Sequence, residues 1–120
     1  MAKETGEEKA IDPTEQSTQR TADELVESGW GHYSKKEFFR AEADFQKALE
    51  ITPENADTMY ALAMTQQASG RSPEAIHTFE KVIDLLEKTK EKDPVRALML
   101  TRLARGHISR MKTGDWKLEK

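Results

Sequence analysis

From residue 22 onward the apolar side chains recur at intervals of three and four, and the run is interrupted around Ser34–Glu37, at Thr52–Pro53, at Gly70–Pro73, at Asp93–Pro94 and at Gly114. That period is helical, and each interruption carries a recognisable stop or start signal. Thr21 and Glu24 have capping-box spacing and predict a helix running to about Ser34; Ser34 and Glu37 repeat the spacing and predict a second. Its apolar face is Ala41, Phe45, Ala48 and Leu49, and Thr52-Pro53 ends it, since proline disfavours helix at the residue before it. Asn55 is a natural cap for a third helix with Met59, Leu62, Ala63 and Gln66 on one face. Gly70-Arg71-Ser72-Pro73 separates it from a fourth, with Ser72 as cap and Pro73 at the first helical position. Ala75, Ile76, Phe79, Val82, Ile83 and Leu86 form the stripe of that helix, which is expected to continue through charged residues to Lys92. Asp93-Pro94 restarts a fifth, with Leu100, Leu103, Ala104, His107 and Met111 on its face and Gly114 at its close. No segment alternates as a strand does. The fold class is therefore all-α.

Residues 1–21 show neither period and offer few large apolar side chains, so they are expected to form a disordered acidic tail, with residues 22–120 the folded unit. The chain of 120 residues has no cysteine, which excludes disulfides and thiolate metal sites and points to the cytoplasm. It has no run of about 18 apolar residues, so no membrane span is expected. The net charge of −3 is unevenly spread: residues 22–93 hold nine Lys or Arg against fifteen Asp or Glu, whereas residues 94–120 hold seven against two. A basic end thus follows an acidic body, and the overall balance argues against nucleic acid as a partner.

The helices also repeat. An offset of 34 pairs Ala22 with Ala56, Asp23 with Asp57, Ala41 with Ala75, Phe45 with Phe79 and Lys47 with Lys81. The conservative pairs Leu25/Met59, Gly29/Ala63, Ala48/Val82 and Leu49/Ile83 lie between them. Small residues fall where two helices must approach closely and large ones between them. The period and the placement of Gly29, Ala41, Phe45, Ala48 and Pro53, then Ala63, Gly70, Ala75 and Phe79, resemble the tetratricopeptide-repeat family. The repeats run 22–55 and 56–93, with a partial third over 94–120, signalled by Gly106-His107-Ile108-Ser109 echoing Gly31-His32-Tyr33-Ser34 and by Gly114-Asp115-Trp116. Leu25 and Met59 stand where the family often has an aromatic, and His32, Gln66 and His107 where it often has Tyr.

The resemblance implies a solenoid of about five helices whose first helices line a concave groove for a peptide or partner helix, so that the chain would be an adaptor or assembly scaffold. Carried onto this sequence, the groove positions are Val26, Trp30, Tyr33 and Ser34, then Asp57, Tyr60, Met64 and Gln67, then Leu98, Thr101, Arg105 and Ile108. The family's clamp for chaperone C-termini is matched only at Arg102, since Val26, Trp30, Ala61 and Leu98 occupy its other positions. Arg102 with Arg105 nonetheless suits an acidic protein partner. Trp30 and Tyr60 have a second reading, as aromatics packed between helices.

Val95, Leu98, Met99 and Leu118 are too apolar for a finished solenoid end. One expectation is that two copies pair through their open third repeats; the other is that Trp116 and Leu118 fold back over the edge. Catalysis is not expected. The histidines His32, His77 and His107 are scattered, no phosphate loop or H-E-x-x-H motif occurs, and no cofactor or metal site is implied.

Overall fold

The computed structural model describes residues 13–113, with side chains from Arg20 onward, and contains five helices in this range: α1 (Pro13–Ser34), α2 (Phe38–Ile51), α3 (Ala56–Ala68), α4 (Ser72–Thr89) and α5 (Pro94–Thr113). The described residues contain no strand, and the all-α class holds. Each helix packs on its neighbours in sequence, α1 on α2, α2 on α3, α3 on α4 and α4 on α5. The result is a row of two hairpins, α1–α2 and α3–α4, followed by α5 packed on α4.

The two hairpin turns are built alike, 34 residues apart. At the end of α1, Lys36 N–H donates to Tyr33 O at 2.9 Å and Glu37 N–H to His32 O at 2.9 Å. At the end of α3, Gly70 N–H donates to Gln67 O at 3.0 Å and Arg71 N–H to Gln66 O at 2.9 Å. This paired closure leaves one residue in the left-handed region. That residue is Gly70 in the second turn, with φ 84°, and Lys36 in the first, with φ 65°. Glycine meets the requirement without strain; lysine does so against the clash of its Cβ.

Between the paired helices the large side chains are Phe45 and Phe79, both fully buried. Phe45 packs with Ala41, Ala61 and Leu62, and Val26, Tyr33, Leu49 and Met59 close around them. Phe79 packs with Ala63, Ala75, Ala104 and Ile108, and Val82 and Leu86 continue the core to Ala97. The close approach that Phe45 demands explains Gly29, where an added Cβ would lie 2.7 Å from the ring.

A polar network crosses the joint between the hairpins. Glu42 of α2 is buried and ion-paired with Arg71, and it accepts from Gln66 Nε2 at 3.3 Å. The Thr78 hydroxyl stands 2.6 Å from Gln66 Oε1 and 3.0 Å from the Glu74 carbonyl, to either of which it can donate. Buried polar groups of this kind must be partnered to be tolerated, so the network fixes how α2, α3 and α4 sit together.

Several local expectations are corrected. α1 begins at Pro13, not at Thr21, because proline's fixed φ suits the first turn of a helix; the boundary placed at residue 21 therefore falls inside a helix, and residues 1–12 lie outside the described residues. The Ser34–Glu37 capping box does not form: Ser34 Oγ donates back to Gly31 O at 2.8 Å, and Glu37 Oε1 accepts from His32 Nδ1 at 2.6 Å. The α4 cap is Arg71, one residue before Ser72, because the turn hydrogen bond commits its backbone first. α4 also stops at Thr89, short of Lys92. Asn55 does cap α3, accepting from Thr58 N–H at 3.1 Å. Gly114, Trp116 and Leu118 lie outside the described residues, and with them the expected fold-back over the edge.

Candidate functional site

α5 has an uneven relation to the rest of the fold. Its inward face is Ala97, Leu100, Ala104, Ile108 and Met111, set against Val82 and Leu86 at one end and Phe79 and Ala63 at the other. At about 100° per residue, Leu98, Arg102, Val95, Met99 and Leu103 fall in turn on the remaining arc. Six large apolar side chains are exposed among the described residues, and four of them belong to α5: Val95 at 68%, Leu98 at 58%, Met99 at 59% and Leu103 at 47%. Trp30 and Phe39 are the other two.

Two concavities flank this helix. On the α3 side a groove of about 280 Å³ is lined by Asp57, Asp93, Val95, Arg96, Met99, Leu100 and Leu103. On the α4 side a second, of about 290 Å³, is lined by Leu86, Glu87, Lys90, Pro94, Ala97, Leu98, Thr101 and Arg105. The charge of α5 itself has one sign, since it carries Arg96, Arg102, Arg105, Arg110 and Lys112 and no Asp or Glu, whereas the groove linings are mixed: Asp57 and Asp93 with Arg96 in the first, Glu87 with Lys90 and Arg105 in the second. The Asp57 carboxylate reaches across from α3 to pair with Arg96 at the rim of the first groove. Asp93 Oδ1 accepts from Arg96 N–H at 3.2 Å and so caps the start of α5.

The expected groove residues divide into three groups. Val26, Trp30 and Tyr33 gather around Phe45: Trp30 meets Phe45 edge-on at 5.2 Å and Tyr33 at 5.3 Å, while Val26 and Tyr33 are half-buried. Tyr60 and Met64 belong to the second core cluster. The Tyr60 ring meets Phe79 at 5.4 Å, and its hydroxyl stands 3.0 Å from His107 Nε2, whose ring stacks flat on Phe79 at 4.8 Å. Burial pushes the Tyr60 phenol up and, with Arg110 adding to it, the His107 imidazole down. Gln67 is half-buried near the end of α3.

Leu98, Thr101 and Arg105 come together on the α4–α5 groove, Arg102 is exposed beside them, and Asp57 faces α5 through Arg96. Ile108 is in the core, since the inward face of α5 passes through Ala104 and Ile108. Leu103, expected inside, is half exposed for the same reason. The equivalence drawn between His32 and His107 holds in sequence but not in surroundings: His32 lies between Glu37 at 2.6 Å and Asp44 at 3.7 Å on the surface. That hydrogen bond holds the Glu37 carboxyl below its usual range.

Sequence reasoning passed over Arg96 and gave Met99 and Val95 only as apolar excess. The signal was the crowding of apolar residues between Val95 and Leu103, more than one face of a helix can bury.

No helix among the described residues is long and apolar enough to cross a membrane. The described residues also bring no three His, Asp or Glu side chains together in a form that could hold a metal ion. No curated protein and no solved structure matches the chain. Residues 44–77 match the family model described as Tetratricopeptide repeat, a window covering the second half of α2, all of α3 and the start of α4. Repeats of this family generally mediate protein–protein interactions and are typically non-catalytic. Through that repeat, and through two hairpin turns of like geometry 34 residues apart, the chain is similar to the tetratricopeptide-repeat family.

Proposed function

We propose that the chain is a non-catalytic interaction module that docks a partner protein against the exposed arc of α5 and its α3-side groove. The observation that carries this reading is the concentration of exposed apolar side chains on one helix, Val95, Leu98, Met99 and Leu103, of which Val95, Met99 and Leu103 line the α3-side groove. Exposed apolar surface gathered in one patch is characteristic of interaction sites, whereas single scattered residues are not. The positive charge of α5 favours an acidic partner over a second copy of this chain. A two-fold pairing of α5 on α5 would set five cations against five with no carboxylate on either helix. The aromatic patch around Trp30 is secondary, because its rings largely satisfy one another.

A full chain carrying Met99→Glu and Leu103→Glu tests the reading. Both side chains are about half exposed, so helicity and melting temperature should change little, while capture of a partner protein should be lost. Capture equal to that of the unaltered chain would refute it. Sedimentation showing a dimer that the same variant disperses would replace it with self-association.

A further inference from the structure

His107 joins α5 to both helices of the preceding hairpin. Its ring lies flat on Phe79 of α4, with centroids 4.8 Å apart and planes 4° from parallel, and its Nε2 stands 3.0 Å from the Tyr60 hydroxyl of α3. The same imidazole meets the Tyr60 ring edge-on at 5.8 Å. Phe79 belongs to the buried cluster of Ala63, Ala75, Ala104 and Ile108, so the platform under the imidazole is walled by apolar atoms.

This is a poor place for a cation. The groups that face His107 are Tyr60 from α3, the uncharged Phe79 ring from α4 and Arg110 from its own helix. Burial keeps the Tyr60 phenol protonated, so it offers a hydroxyl and no negative charge, and Arg110 repels an imidazolium. The Phe79 face returns part of the cost of a charged ring. Burial and Arg110 together still favour the neutral form. His32 shows the opposite arrangement, with Glu37 Oε1 2.6 Å from one ring nitrogen and Asp44 Oδ2 3.7 Å from the other. A proton at His32 meets carboxylates, whereas a proton at His107 meets Arg110.

We propose that His107 is a proton-operated latch: neutral, it seats the C-terminal half of α5 on Tyr60 and Phe79, and protonated, it lets that half lift away while both hairpins stay folded. The opening is local because α5 is held differently at its two ends. Its first half rests on Val82 and Leu86 through Ala97 and Leu100, apolar contacts that do not change with a proton. Its second half rests on a ring that does, since histidine is the side chain whose charge ordinarily changes between about pH 5 and 8. Lifting it uncovers an apolar surface of Tyr60, Met64 and Phe79 that is covered at neutral pH. In the open form the ring is in water and takes its proton near its ordinary value of 6.5, whereas the seated ring takes it lower. Between pH 7.5 and pH 5.5 the open form therefore gains by a factor approaching about ten.

Hydrogen exchange followed by mass spectrometry on the full chain at pH 7.5 and pH 5.5 tests this, with exchange times scaled for the intrinsic pH dependence of amide exchange. Protection of residues 104–113 should fall by roughly five- to tenfold at the lower pH, while that of α2 and α3 changes by less than about twofold. His107→Gln keeps a hydrogen-bonding side chain without a titrating ring, and its α5 should be equally protected at both pH values. Arg110→Gln keeps the ring and removes the repelling charge, so the response should shrink; this second variant alters an exposed residue and serves if the first does not fold. Protection of residues 104–113 that is equal at the two pH values in the unaltered chain, or that falls as far in His107→Gln, overturns the proposal. A fall shared equally by α2 and α3 overturns it too, because the whole chain would then be unfolding.

Discussion

Two glycines of α1 stand two residues apart and should respond to the same substitution with opposite signs. At Gly31 nothing lies within 4 Å of an added Cβ. Alanine there meets no obstacle and reduces the chain entropy lost on folding, so Gly31→Ala should stabilise by about 0.5 to 1 kcal/mol. At Gly29 the added Cβ would lie 2.7, 2.9 and 3.0 Å from three atoms of the Phe45 ring. Phe45 is fully buried and flanked by Trp30 at 5.2 Å, so the ring has no free space into which to swing. Overpacking of this kind costs about 1 to 3 kcal/mol, against which the helical gain of alanine offsets less than 1 kcal/mol.

The expected net effect of Gly29→Ala is a loss of about 1 to 2 kcal/mol, from the same two terms. Urea denaturation followed by circular dichroism gives both values, with the slope of the transition checking that only stability has changed. Adding Phe45→Leu should remove most of the Gly29→Ala penalty, and the double-mutant cycle should show coupling of about 1 kcal/mol or more. If Gly29→Ala stabilised the chain as Gly31→Ala does, the close approach of α1 to Phe45 would not be what selects glycine there.

Other perturbations have equally definite outcomes. Phe79→Ala should cost about 3 to 5 kcal/mol in the same assay, since it empties a fully buried site and removes the ring on which His107 stacks. Lys36→Gly should stabilise by about 1 kcal/mol, because it relieves a left-handed φ of 65° that Gly70 already meets with glycine in the matching turn. Arg71→Ala should cost about 1 to 3 kcal/mol, since it leaves the buried Glu42 carboxylate without its cation. Burial places the His107 pKa below its ordinary value of 6.5. As pH falls through that value the unfolded chain takes up the proton first, so His107 favours folding above it and progressively less below it. Urea midpoints should therefore drop between pH 7.5 and pH 5.5, and His107→Gln should flatten that part of the dependence.

The hairpins were legible in the sequence because the residues that make them act locally. Pro53, Gly70, Pro73 and Pro94 punctuate the helices wherever the rest of the chain lies, and Phe45 and Phe79 announce themselves through a spacing that only a repeat explains. Boundaries set by competing hydrogen bonds were less so. Ser34 could cap α2 or donate back into α1, and the choice depended on Glu37 finding His32, five residues away. The face of α5 was harder still. An apolar residue on nearly every side gives no preferred direction, and only packing against Val82, Leu86 and Phe79 decides that Ala104 turns inward and Leu103 outward. Arg96 was invisible for a related reason: its significance depends on Asp57, 39 residues earlier, crossing from another helix.

Packing chiefly between sequence neighbours shapes how this molecule comes apart. Each helix finds its partners within one or two turns of chain connectivity, so contact order is low and folding should be fast and free of long-range search. Stability then accumulates along the row: α3 and α4 are held on both sides, whereas α5 leans on α4 and the edge of α3. Amide exchange should accordingly be slowest in α3 and α4 and faster in α5, the helix whose outer arc is bare. Any protein that seats on that arc would slow its exchange toward the rate of the centre, so the presence of a partner would be written in the protection of α5 even where no contact is seen directly.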